Sequence, residues 1–274
     1  MSFFPKRLTG LGLGAVLLST TALTACGGEG GEHGEGGEAG EGAIHAEVGE
    51  SGEAGELGEG EGGEAGEGEG GEAGHMDMEA LPVEHRAAFM WGHVKAGMKL
   101  YRDGFAEQAS IHLLHPVSET HESERAGLDA LGFDAAPFER VSAALAAGAE
   151  ASEVEPDLEA ADANLKLVNE AAAGDPEDVI TFLLDTTLEE YQVGVTDGTV
   201  TDPGEYQDAW GFVRVAADIA QQFGDSSPEA LELQNELAKL ADLWPESIDG
   251  AEPPASVSEV AAQISVVRLV LSGL

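Results

Sequence analysis

The chain is 274 residues long and carries 53 Asp and Glu against 12 Lys and Arg, a formal net charge of −41. A field of that sign repels phosphate backbones and concentrates cations, which sets nucleic-acid binding aside. With one cysteine, Cys26, no intramolecular disulfide can form.

The first 25 residues read as an export signal. Lys6 and Arg7 form a positive start, and an apolar run from Leu8 to Leu23 follows, too short for a comfortable membrane span. The run closes on Leu23-Thr24-Ala25-Cys26: an aliphatic residue, two small ones and a cysteine. This closely resembles the bacterial lipobox. The resemblance implies cleavage before Cys26, acylation of its thiol, and a membrane partner reached through that lipid. Gly27 and Gly28 follow with no aspartate beside the cysteine. By likeness to lipoproteins of Gram-negative bacteria, that leans toward the outer membrane, facing the periplasm or the cell surface.

Residues 26–77 read as the lipidated cysteine and a disordered linker. From Gly27 to Gly74 there are 15 Glu and 21 Gly among 48 residues, and GEGGEAG recurs at 34–40, 60–66 and 68–74. Such a segment buries too little apolar surface to offset the entropy of ordering. As a flexible coil it spans on the order of 40 Å. Removing its 15 carboxylates and the two signal cations leaves −28 on residues 75–274. That acidity fits cation capture, and equally fits solubility in salty surroundings.

Residues 78–274 carry helical periodicity, so the fold class expected is all-α, a bundle of eight or nine helices with a possible sub-boundary near 150–175. The first helix is predicted from Pro82 to Arg102, starting on proline and stopping at Asp103-Gly104. A second is predicted from Phe105 to His115, with a break where Pro116 disfavours the α region for the residue before it. Further helices are predicted at 116–131, 137–148, 152–172, 176–195, 204–223, 228–243 and 256–271. Ser152-x-x-Glu155 and Ser256-x-x-Glu259 both read as capping boxes. The last helix is apolar on several faces and is expected to be buried.

The densest chemistry lies at His112-Leu113-Leu114-His115-Pro116, followed by Glu119, His121 and Glu122. Three residues apart on a helix, His112 and His115 share a face and can converge on one ion. A kink at Pro116 could fold Glu119 and His121 back toward them. His93, about ten residues before the Asp103-Gly104 turn, comes level with His112 if the first two helices form an antiparallel hairpin. Imidazole with carboxylate suits iron(II), zinc or manganese better than copper(I). A separate cluster, His75-Met76-Asp77-Met78, offers softer donors suited to copper. Helical histidines are also common as hydrogen-bonded core residues, and that reading stands beside the metal one. No G-x-S-x-G elbow, H-E-x-x-H or phosphate-cradling loop is present, so no enzymatic activity is expected.

A further segment runs Glu190-Tyr191, Val195, Gly198, Val200, then Glu205-Tyr206, and extends over residues 180–223. It resembles the extracytoplasmic helical region associated with bacterial high-affinity iron permeases. The resemblance implies an iron-handling module of the envelope and adds Glu190 and Tyr191 as candidate ligands. The expectation is thus an envelope lipoprotein binding iron, or else zinc or copper. His112, His115 and Glu119 are the first ligands, completed by His93, His121 and Glu190; the alternative is an interaction module that holds no metal and docks an envelope protein partner.

Overall fold

The computed structural model describes residues 80–118, 125–224, 226–252 and 254–274. Cys26, the glycine-glutamate linker, the His75 cluster, Glu119 and His121 lie outside the described residues. Among those described, the elements are α1 (Val83–Arg102), α2 (Ala106–Leu113), α3 (Ala136–Ala146), α4 (Ala151–Ala172), α5 (Pro176–Gly194), β1 (Val195–Thr196), β2 (Thr199–Val200), α6 (Pro203–Ala220), α7 (Pro228–Ala241) and α8 (Val257–Leu271). The all-α architecture expected from periodicity is the one observed.

Local chemistry explains most of the boundaries. Three helices begin with a polar cap followed by proline at the first helical position. The Asp175 side chain accepts from Glu177 N, Asp202 from Gly204 N, and Ser227 from Ala230 N. Ser256 and Glu259 form the full capping box of α8. The other expected box does not form. Glu150 occupies the cap position of α4 without a side-chain bond, and Glu155 pairs with Arg102 of α1 instead. The long-range ion pair displaces the local one.

Two expectations around Pro116 are corrected. The second helix ends at Leu113, and His115 sits in a separate 3-10 turn, His115–Val117. Proline restricts the residue before it, so the α-helix stops short of His115. No single helix covers 116–131. Among the described residues that stretch shows the 3-10 turns His115–Val117 and Asp129–Leu131, with Gly127 at φ 86° and Gly132 at φ 95°. Left-handed glycines so placed end helical runs.

Helix α1 is the central element and packs against α2, α4, α5 and α6. Its middle is buried almost continuously, from Ala87 through Val94 to Leu100 and Tyr101. Helices α5 and α6 pack closely, and α7 and α8 complete the C-terminal half against them. Asp197 and Gly198, both at positive φ, reverse the chain between α5 and α6 and pair Val195 with Val200. Helix α8 buries one stripe, Val260, Ile264, Val267 and Leu271, and leaves Val266 and Leu269 exposed. It is a one-sided helix, not the wholly buried one expected.

Glycines set the closest crossings. A Cβ on Gly211 of α6 would lie 2.1 Å from the Gly92 carbonyl oxygen of α1. A Cβ on Gly97 of α1 would lie 3.0 Å from the Leu113 backbone nitrogen, and one on Gly194 of α5 would lie 2.7 Å from Tyr206 N. The α1–α6, α1–α2 and α5–α6 contacts are therefore backbone against backbone. Those are the same helices that carry the site.

Candidate metal centre

His93 is the residue after Gly92, and Asp208 lies one helical turn before Gly211. The glycine crossing of α1 and α6 thereby sets the two side chains face to face: His93 Nδ1 is 2.6 Å from Asp208 Oδ1. His112, on α2 beside the Gly97 contact, brings its own Nδ1 to 2.8 Å from the same oxygen. Ligand atoms of His93, His112 and Asp208 all lie within 4.8 Å of one another. His115 follows in its 3-10 turn, its ring stacked on that of His93 with centroids 4.0 Å apart. Phe89 and Phe212 meet His93 edge-on, at 4.6 and 5.5 Å.

Glu190 of α5 and Glu205 of α6 stand beside this group. Val195 pairs with Val200, and the two glutamates are five residues back and five residues on from that pair, so the tight turn sets them opposite each other. Glu205 and Asp208 are three apart and share a face of α6. Each of the six residues, His93, His112, His115, Glu190, Glu205 and Asp208, is at most 5% exposed. That number matters because buried ionisable groups persist only when paired or bound to something charged.

Electrostatics follow from the burial. Desolvation alone would push the Asp208 carboxyl up, but the charges and hydrogen bonds of His112 and His93 outweigh it and hold it below the usual carboxylate range. Glu190 and Glu205 go the other way. Burial raises both, and the hydrogen bond and charge of Glu190 raise Glu205 further, so the pair favours holding a proton between its carboxyls.

A chain of amides sets the orientation of His112. Gln207 Nε2 donates to Gln108 Oε1 at 2.8 Å, which turns Gln207 Oε1, an acceptor, toward His112 Nε2, also at 2.8 Å. His112 Nε2 must then be the N–H donor. Its Nδ1 faces a carboxylate oxygen, and needs either a second proton or a cation between them. This is how metal-binding histidines are oriented: one nitrogen donates to a fixed acceptor and the other is presented to the ion. Donors bound at about 2.1 Å to a common ion lie about 3 Å apart in an octahedral shell. The observed nitrogen-to-oxygen distances come near that edge, and two nitrogens with one oxygen suit iron(II), zinc or manganese.

Of the candidates read from the sequence, the structure brings His93, His112, His115 and Glu190 into one buried neighbourhood. Tyr191 is instead a core aromatic whose hydroxyl donates to the Ala255 carbonyl at 2.9 Å. His85, eight residues before His93, stacks on Phe182 and bonds Asp178 away from the group. Asp208 and Gln207 were not singled out in the sequence. The available signal was Asp208 one turn beyond Glu205 on a helix that carries Gly211 at its packed face.

Comparison with known families bears on the same helices. Residues 169–272 match the family model of the iron permease-associated 4-helix bundle domain. The match takes in α5, α6, α7 and α8, and so extends well beyond the segment 180–223 whose resemblance was noted from sequence. No curated protein and no solved structure matches the chain.

Proposed function

We propose that this chain is a cell-envelope protein that binds a first-row transition metal, iron(II) foremost, and serves iron uptake beside a membrane permease. The metal is held by His93, His112 and Asp208, with His115 and Glu190 against them. The observation that carries this reading is the convergence of three buried donors from α1, α2 and α6 on one point, with His112 oriented by Gln207. The match of residues 169–272 to an iron permease-associated domain supports iron over zinc or copper. On this reading the protein binds rather than catalyses. It is tethered through a lipid on Cys26 at the outer membrane, and the lipid is tested by palmitate labelling that a Cys26→Ser variant abolishes.

A second reading rests on the same distances. His93, Asp208 and His112 also make a self-contained buried ion network, and a helical interaction module with no metal needs nothing more. Metal content by plasma mass spectrometry separates the two, on protein purified without chelating resin and then titrated anaerobically with iron(II). Near-stoichiometric metal lost in His93→Gln/His112→Gln supports the metal centre. Protein that takes up neither iron(II) nor zinc leaves the ion network as its whole role.

A further inference from the structure

The His93–His112–Asp208 group uses one carboxylate, yet two more are buried against it. Glu190 and Glu205 are 2% and 4% exposed. Among the described residues no lysine or arginine pairs with either, and no N–H or hydroxyl reaches the buried Glu190 Oε2. The charges that act on them are almost all acidic: each other and Asp208 on both, Glu189 on Glu190 and Asp202 on Glu205, with His93 the one cationic partner, on Glu190. Two carboxyls pressed together by a backbone-tight helix pair, one of them with a buried oxygen that accepts nothing, form an oxygen-rich position that a cation can take.

We propose that Glu190 and Glu205 form a second cation position beside the first, so that the buried cluster holds two divalent transition-metal ions. The inference rests on the metal reading above and extends it from one ion to two. The chemistry of the two positions differs. The first offers two imidazole nitrogens and one carboxylate oxygen. The second offers carboxylate oxygens, which favour the harder ions, manganese(II) and iron(II), over zinc. The arrangement draws on four helices, and the second position is created by the Asp197-Gly198 turn, which fixes Glu190 opposite Glu205.

The experiment is ion stoichiometry on the full chain, stripped of metal and titrated separately with iron(II), manganese(II) and zinc, then desalted and measured by plasma mass spectrometry. Two ions per chain are expected for the wild type with iron(II), and one for Glu190→Gln/Glu205→Gln, with the helical circular dichroism spectrum unchanged. Where the double variant misfolds, Glu205→Gln alone gives the same reading, because glutamine copies the shape of the protonated carboxyl. A wild type that holds one ion, unaffected by these variants, overturns the second position and leaves the first standing. Two ions retained by the double variant put the second ion elsewhere and also overturn the proposal. No ion retained by the wild type overturns both readings.

Discussion

Asp208 and Glu205 sit three residues apart on one helix and are shifted in opposite directions, because one faces imidazoles and the other a carboxyl. The stability of the metal-free protein therefore depends on pH. Glu205 has its folded pKa raised by burial and then by Glu190, so its contribution is fully present below the unfolded value of about 4.3 and is lost as pH rises. Asp208 is depressed by His112 and His93 against its burial, so its contribution is present above about 3.9 and is lost as pH falls further. Glutamine at position 205 stays neutral at every pH. The stability gained by Glu205→Gln over the wild type, measured by urea denaturation, should therefore shrink as pH falls from about 8 to about 5. A gap that stays constant across that range contradicts a protonated Glu205. Asp208→Ala, which strands two histidines against a buried cavity, should cost about 3 kcal/mol in the metal-free protein.

At the scale of helices, the site is a product of where backbones touch. Gly211→Ala places a methyl against the Gly92 carbonyl, a contact that no side-chain rotation relieves, so α1 and α6 must part. Overpacking of this kind costs about 3 kcal/mol, or roughly 10 °C in the midpoint for a domain of this size. Metal affinity should fall with it, because the same crossing sets His93 against Asp208. Gly104→Ala is the control. Its φ is 91° with nothing within 4 Å, so it bears backbone strain alone, about 1–2 kcal/mol, and should leave metal affinity unchanged. The helices themselves were legible in sequence because proline after Asp175, Asp202 and Ser227 marks a start through purely local chemistry. His93 and His112 were legible because a short turn makes their helices antiparallel. Asp208 was not, since nothing local distinguishes it from other acidic residues on α6. Its role comes from a glycine contact with a helix more than a hundred residues earlier in the chain. The failed cap at Ser152 has the same origin, an ion pair between Glu155 and Arg102 that only the folded chain supplies.

Over the whole molecule, charge is the dominant feature. No described helix is long and apolar enough to cross a membrane. The −41 charge raises the local concentration of divalent cations around the chain. Binding to the folded state alone stabilises it by about 2.7 kcal/mol at a hundredfold excess over Kd. Iron(II) should thus raise the unfolding midpoint by roughly 5–10 °C. A chelator should reverse the shift, and His93→Gln/His112→Gln should show none. An equal shift in that variant would mean that the cation acts through the acidic surface instead of the buried cluster.

All eight histidines of the chain precede residue 169, where the match to the iron permease-associated bundle begins. Glu190, Glu205 and Asp208 all fall inside it. Taken without α1 and α2, the bundle presents at this place a hard, oxygen-only donor set of the kind that grips magnesium, calcium or manganese as readily as iron. The N-terminal helices add nitrogen and move the preference along the Irving–Williams series. On the proposed metal reading, selectivity would be set by the N-terminal helices and charge neutralisation by the C-terminal bundle, with the two meeting at the Gly92–Gly211 crossing.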